Sequence, residues 1–364
     1  MSTRIGIIGA GQLGRMLVLA GVPLGLRFSV FDRVAEAPAG AVAPLVTGDF
    51  EDEHAVASFA AGVDVVTFDW ENVPVASARA AARTRRVLPS PRALEVAQDR
   101  LREKRLFTRL GIRVAPHAAV DDEAGLARAV RQVGLPGILK TRRLGYDGKG
   151  QCVLRGAKDL GPAWQALGGQ PLLYEGMVDF ECEASLIGVR GRRGEVAFYP
   201  LSRNVHVGGI LAESRAPFAR SRLQREAEAC LRRIMTHLSY VGVLCVEFFV
   251  TRAGLVANEM APRVHNSGHW TIEGAETSQF ENHLRAIAGL PLGSTTERGH
   301  AVMVNCIGRM PTARAALSVP GLHLHDYGKA PRPGRKLGHL TLVARTAGVR
   351  DRMAPRLRRL AQGS

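Results

Sequence analysis

Val241-Gly-Val-Leu-Cys-Val-Glu247-Phe-Phe-Val250-Thr-Arg-Ala-Gly254-Leu-Val-Ala-Asn258-Glu259-Met260 holds two apolar runs split by a glycine-ended turn. Valine and phenylalanine favour strands. A loop of Arg252-Ala253-Gly254 puts glycine last, as a type I turn closed by a left-handed residue prefers. That loop sets Thr251 opposite Leu255 and Glu247 opposite Glu259. Directly opposed residues of an antiparallel pair share one face, with Cβ atoms ~5 Å apart. Two carboxylates that close repel, and one must hold a proton unless a cation lies between them. Hard oxygen donors suit magnesium. Two acids on a solvated strand face are the plainer alternative, and the apolar neighbours of both glutamates argue against it.

Working back along the chain, Lys140 ends the apolar run Gly137-Ile-Leu-Lys140 and precedes Arg142-Arg-Leu-Gly145-Tyr-Asp-Gly148-Lys-Gly150-Gln151. Three glycines in six residues make a loop whose amides can fold over phosphate oxygens, with Lys140 adding a point charge. Gln151–Leu154 and Pro171–Glu175 complete a small antiparallel lid. The second leads into Gly176-Met177-Val178, then Glu181 and Glu183, a strand edge able to offer backbone groups to a base. An exposed hairpin loop and a plain connector are the bland readings of these two features.

The first ~90 residues alternate strand and helix signals in a parallel βαβ pattern. Ile5–Ile8 is a strand, Arg15–Leu24 a helix, Phe28–Phe31 and Val63–Phe68 later strands. Gly9-Ala-Gly11-Gln-Leu-Gly14, with Asp32 closing the next strand, fits the dinucleotide fingerprint. Such a turn holds any phosphate at a helix N-terminus. A nicotinamide or flavin cofactor, another phosphorylated ligand such as a ribose 5-phosphate, and a structural tight turn all stay open. Further on, Leu223–Leu238 has helical spacing, and Ala301–Ile307 and Lys336–Val343 read as strands of a last small domain.

The net charge of +16 invites a nucleic-acid partner. Its basic residues are spread along the chain and are nearly all arginine, with lysine at only six positions. The densest run, Arg350–Arg359, has no interleaved aromatics to stack bases. A solvated surface that favours phosphorylated small substrates is the expectation, with no nucleic acid. No run approaches the ~20 apolar residues of a membrane span. The N-terminus shows no signal-peptide pattern, and five scattered cysteines never spaced C-x-x-C point to a reducing, cytoplasmic compartment.

Lysine strand, glycine loop, acidic hinge and paired glutamates in this order resemble the ATP-grasp superfamily. Closer likeness lies in Gly9–Met16, Tyr146–Gln151, Tyr199-Pro-Leu201 with Asn204 and His206, Tyr240–Val243, Asn258-Glu-Met-Ala-Pro-Arg-Val-His-Asn-Ser-Gly-His-Trp270 and Arg332-Pro-Gly-Arg-Lys-Leu-Gly-His339. These resemble the 5-(carboxyamino)imidazole ribonucleotide synthase family, over essentially the whole chain. The resemblance implies an α/β chain, α+β in its centre: an N-terminal Rossmann-like domain (1–95), an ATP-grasp region (96–295, mobile lid about 115–178) and a small C-terminal domain (296–364).

It also implies carboxylation of aminoimidazole ribonucleotide with ATP, magnesium and bicarbonate, in a homodimer. Nucleotide contacts would come from Arg100, Lys140, the loop Gly145, Tyr146, Asp147, Gly148, Lys149, Gly150 and Gln151, the hinge Glu175, Gly176, Met177 and Val178, and from Glu183, His206, Asn258 and Glu259. Glu247 and Glu259 would hold magnesium. Gln12, Leu13 and Glu71 would hold the ribonucleotide, and Arg332, Arg335 and Lys336 would reach phosphate. Arg263, His265, Asn266, Ser267 and His269 would face bicarbonate and the imidazole, with Arg263 clamping bicarbonate and His265 or His269 as base. Leu144 stands where many relatives carry glycine, and the Arg-rich tail after Val349 is unlike the family's usual ending. A formate-dependent glycinamide ribonucleotide transformylase is the rival ligase, disfavoured by Arg332-Pro-Gly-Arg-Lys336.

Overall fold

The computed structural model describes residues 2–145 and 150–363; Tyr146, Asp147, Gly148 and Lys149, all expected in the nucleotide loop, lie outside the described residues. Apolar strand Arg4–Ile8 is the centre of a five-stranded parallel sheet. Its order is Leu45–Thr47, Arg27–Asp32, Arg4–Ile8, Val65–Phe68 and Arg86–Val87. The following helix runs Gln12–Gly21, three residues earlier than the sequence predicts. Gly11 serves as its N-cap, so the glycine turn itself opens the helix.

The three lid strands expected from the sequence are joined by a fourth that was not, His117–Val120, in an antiparallel sheet of order His117–Val120, Leu172–Gly176, Gly137–Thr141 and Gln151–Leu154. Leu139, Leu154, Leu172 and Tyr174 fill a small core of its own. Leu144, at the start of the glycine loop, takes φ 60 and is 70% exposed, a left-handed conformation that an L side chain rarely adopts.

A nine-stranded sheet carries the rest. Hairpin Gly242–Thr251 and Gly254–Ala261 forms one edge, followed inward by Cys182–Arg190, Ser202–Val207, Ile210–Ala216, His300–Ile307, Lys336–Ala344 and Leu322–Asp326. The short strand Val196–Phe198 pairs off this path with Cys182–Arg190. The C-terminal strands thus extend the central sheet rather than making one of their own. Helix Ala347–Ala361 closes a separate core over them, from Val302, Leu340, Leu342 and Leu357. No helix among the described residues is long and apolar enough to cross a membrane.

The hairpin register corrects the expected one. The turn is the two residues Arg252-Ala253, with Thr251 pairing Gly254, whose φ is +115. Pairs Val250↔Leu255 and Phe248↔Ala257 follow. A bulge then intervenes, and beyond it Val246↔Met260 and Cys245↔Ala261 sit in the register expected from a three-residue loop. Glu247 therefore faces Asn258 and Glu259 together. The tight turn removes one residue of offset, and the bulge restores it where the carboxylates stand.

Helix Gln279–Ala288 locks the first sheet to the large one through His283. Its Nε2 lies 2.8 Å from Thr67 Oγ1, and its Nδ1 accepts from the Val243 amide at 3.1 Å. Burial pushes its pKa down to about 3. The unfolded value is ~6.5, so between these two pH values the unfolded chain binds a proton that the fold refuses. This contribution is complete above ~6.5 and falls by ~1.4 kcal/mol per pH unit below it. The melting midpoint of the wild type is expected to drop from pH 6.5 to 5, and His283→Asn to drop less steeply by one proton. Parallel acid limbs would refute the assignment.

Candidate active site

The edge hairpin presents its two glutamates differently. The Glu247 side chain is 16% exposed and its Oε1 lies 3.2 Å from His265 Nε2. Burial first, and then the Glu259 charge, push the Glu247 carboxyl up to about 7. The Glu259 side chain is half exposed, and Arg100 Nη2 stands 4.0 Å from it. Two oxygen donors in tension of this kind fit a divalent cation, which removes the repulsion that raises Glu247. Among the described residues no cluster of three or more histidine, cysteine, aspartate or glutamate side chains could hold a metal. Two carboxylates suit magnesium, which commonly keeps waters and takes other ligands from substrate phosphates.

The bulge is anchored from the neighbouring helix Arg100–Arg109. Glu103 accepts from the Met260 amide at 2.7 Å, and Lys104 donates to the Asn258 carbonyl at 2.8 Å. On the sheet face beside the hairpin, His206 Nδ1 lies 2.6 Å from Glu183 Oε2. Burial lowers the His206 pKa, but the Glu183 hydrogen bond and the charges of Glu247 and Glu183 outweigh it and raise the net value.

Lys140 points from its strand to Glu175, Nζ to Oε2 at 2.5 Å, while Glu175 Oε1 lies 3.0 Å from Lys104. Burial opposes the Glu175 charge, yet Lys104 and Lys140 prevail and hold its pKa at about 2. Glu175 is thus engaged inside the protein, not turned toward an open slot. Two hinge amides are also taken: Gly176 N–H donates to Pro116 and Met177 N–H to Pro136. Arg100 donates to the carbonyls of Thr141 and Gly145, both at 3.0 Å, and so clamps the base of the glycine loop.

Arg263 and Glu71, expected to serve different substrates, form one ion pair across the cleft. Arg263 also donates to the Val264 carbonyl at 2.9 Å. Burial works against the Glu71 charge, but Arg263 keeps its pKa lowered. His265 is held neutral, well below its usual pKa, by burial and then by Arg263 and Lys336. Its Nδ1 accepts from the Ser267 amide, which leaves its proton on Nε2 toward Glu247. Asn266 exchanges two amide hydrogen bonds with Asn305, at 3.0 and 2.7 Å.

Ser267 and His269 do not stand in the cleft. Ser267 is 0% exposed and its Oγ bonds Ser185 at 2.8 Å, while His269 is 1% exposed among Phe280, Tyr327 and His339. The turn Asn266–Gly268 swings this stretch inward, under the sheet.

The glycine turn of the first sheet receives the chain's own anion. Asp69 Oδ2 accepts from the Gly11 amide at 2.6 Å and the Gly14 amide at 3.1 Å, and Asp32 accepts from Ala10 at 2.7 Å. A Cβ on Gly9, whose φ is +97, would lie 1.7 Å from Asp69 Oδ1. Burial pushes Asp69 up to about 6, with the two amides opposing. Asp32 and Asp69 thus take the amides of Ala10, Gly11 and Gly14 of this turn. Leu13 is buried in the core at 6% exposure, and Gln12 bonds Lys329.

Lys329 was not among the expected site residues, although it stands three residues before the Arg332-Pro-Gly-Arg-Lys336 run. It is half-buried, and burial, then Arg335, push its pKa down to about 8. Arg335 donates to the Ala330 carbonyl at 3.1 Å, and Arg332 is exposed. Lys336 contributes its field to Glu71, Glu247 and His265 at once, so the C-terminal cations belong to the same cleft as the carboxylate pair.

Comparison with known proteins finds family matches along three successive segments of the chain. The ribonucleotide synthetase preATP-grasp domain family matches residues 1–98, the ATP-grasp domain family 105–280, and the phosphoribosylaminoimidazole carboxylase C-terminal domain family 301–352. N5-carboxyaminoimidazole ribonucleotide synthase of Pseudomonas aeruginosa is 50% identical over 93% of this chain and 94% of its own. The synthetase structure of that name from Thermus thermophilus has a TM-score of 0.94 and 54% identity, over 98% of each chain. The Aspergillus clavatus enzyme, solved with ADP and 5-aminoimidazole ribonucleotide, has a TM-score of 0.93 and 32% identity, over 99% of each chain.

Proposed function

The chain belongs to the N5-carboxyaminoimidazole ribonucleotide synthase family, and from that premise we propose the roles its residues play. It is an ATP-grasp ligase of purine biosynthesis: with ATP and bicarbonate it carboxylates the amine of 5-aminoimidazole ribonucleotide and releases ADP and phosphate. The single observation that carries the residue assignment is the mutually repelling pair of the largely buried Glu247 and the half-exposed Glu259 beside the lysine-and-loop lid.

Bicarbonate is a poor electrophile until a phosphoryl group makes it carboxyphosphate, whose carboxyl carbon the substrate amine can attack. Glu247 and Glu259 would hold magnesium, which would offset charge on the reacting phosphates. Lys140 supplies a second positive charge to the same phosphates, and a glycine loop with three glycines between Gly145 and Gly150 suits closure over them and exclusion of water. Arg263 orients bicarbonate as a planar partner, held in place by Glu71. His265, with its proton on Nε2, orients Glu247 instead of serving as base. Asn266 and Asn305 brace the same turn. Lys329, Arg335 and Lys336 form the positive wall for the ribonucleotide phosphate, Gln12 holds Lys329 in it, and Ser267 and His269 support it from the interior.

The division at about 95 and 295 is supported by the separate first sheet. It cuts the large sheet between Ile210–Ala216 and His300–Ile307. Five free cysteines support a cytoplasmic setting. A homodimer is part of the same reading, carried by the family likeness.

ADP release is expected to need ATP, magnesium, bicarbonate and the aminoimidazole ribonucleotide together. Formate with glycinamide ribonucleotide should support none. Release that follows formate and ignores bicarbonate would overturn this assignment.

A further inference from the structure

We infer that Lys104 is a positioning residue for the nucleotide step: it is the permanent counterion of Glu175, and so lets Lys140 leave that carboxylate for the phosphates of ATP. The inference rests on the reading that Lys140 serves those phosphates. Glu175 is almost wholly buried, its side chain 4% exposed, and its two oxygens are divided between two ammonium groups. The groups differ in freedom. Lys104 is 2% exposed and pinned by a second bond, 2.8 Å to the Asn258 carbonyl on the edge hairpin. Lys140 is 13% exposed at the end of a lid strand, at the mouth of the glycine loop. Glu175 is thus joined to the hairpin through Lys104 and to the loop through Lys140.

Were Lys140 its only partner, its departure would strand a buried carboxylate, a state that proteins avoid at high cost. With Lys104 fixed beside Glu175, the carboxylate stays paired whichever way Lys140 turns. Two ammoniums on one carboxylate also leave an excess positive charge and repel each other, which loosens the more mobile of the two. Glu103, next along the helix, does not cancel that excess, because burial pushes its pKa up to about 8 and it carries a proton at neutral pH. Lys104 itself is too deeply placed to touch the nucleotide. Its effect passes through Lys140.

A double-mutant cycle tests this on the full-length enzyme, with ATP, magnesium, bicarbonate and aminoimidazole ribonucleotide present. Lys104→Met should lower kcat/KM for ATP by about 100-fold in the wild-type background, because Lys140 becomes locked to Glu175. In a Glu175→Gln background the same substitution should cost less than about threefold, since no carboxylate remains to hold Lys140. Equal losses in both backgrounds overturn the inference and leave Lys104 a structural residue. Melting midpoints accompany each variant. If Lys104→Met alone does not fold, the comparison passes to Lys104→Arg, which keeps the charge and should stay within about tenfold of wild type in both backgrounds. An equal ~100-fold loss for Lys104→Arg in both backgrounds overturns the inference too. Lys140→Met separates the premise: unchanged kcat/KM for ATP in that variant would remove the phosphate role of Lys140, whatever Lys104 does.

Discussion

Glu259→Gln is expected to reduce ribonucleotide-dependent ADP release by about 10³-fold or more at moderate magnesium, with the melting midpoint within a few degrees of wild type. The size follows from the charge that the hairpin must control. Losing ~4 kcal/mol of electrostatic stabilisation at the transferring phosphoryl group is a factor of ~10³ in rate. The stability half follows from exposure. The Glu259 side chain is half open to solvent and its nearest cation, Arg100, is at 4.0 Å, so the fold loses no tight pair. Neutralising residue 259 also relieves Glu247, whose carboxyl Glu259 helps to push up to about 7. The variant should therefore need more magnesium while melting no earlier. Titrating ADP release with magnesium, alongside a melt, reads both. Turnover within tenfold of wild type at the magnesium optimum of the wild type would remove Glu259 from the metal site.

Arg263→Lys is the second large effect, expected to lower turnover by about 10²–10³-fold and to raise the bicarbonate KM. A lysine keeps the charge but has no fork. Arg263 already spends Nε on Glu71 and Nη1 on the Val264 carbonyl, and a single ammonium cannot serve both and a planar anion as well. Arg263→Ala should be worse in a different way. It leaves Glu71 without its ion-pair partner, and breaking a buried pair from one side costs ~3–5 kcal/mol. Glu71→Gln added to Arg263→Ala should then recover melting temperature but not activity. Bicarbonate saturation curves with paired melts would decide the matter. Arg263→Lys with wild-type bicarbonate dependence would place the anion elsewhere.

Much of this site can be read along the chain. The lid strands Gly137–Thr141 and Gln151–Leu154, the edge hairpin and the C-terminal strands follow from apolar runs bounded by turn residues. The two glutamates were legible as a pair because both sit in apolar strands at matched distance from a glycine turn. Their register was not: a two-residue turn and a bulge give the same local signal as a three-residue loop, and only the anchoring of Met260 and Asn258 by Glu103 and Lys104 distinguishes them. Strands Ser202–Val207 and Ile210–Ala216 carry many polar residues inward, including Asn204, Glu213 and Ser214, and so lack the alternation that marks a strand.

The sequence by itself determined the order of chemistry: lysine strand, glycine loop, acidic hinge, paired carboxylates, then a basic tail segment, each a local pattern of residue type and spacing. Tertiary structure decided which of those groups are committed to one another. Asp69, 58 residues from Gly11, fills the turn that local reading offers to a phosphate. Glu175 is shared by Lys104 and Lys140, Arg263 meets Glu71 from the far side of the cleft, and Ser267 and His269 turn into the interior. The physical reason is that pairing and desolvation depend on which distant groups exclude water from a site. Periodicity reports only which way a residue faces along its own element.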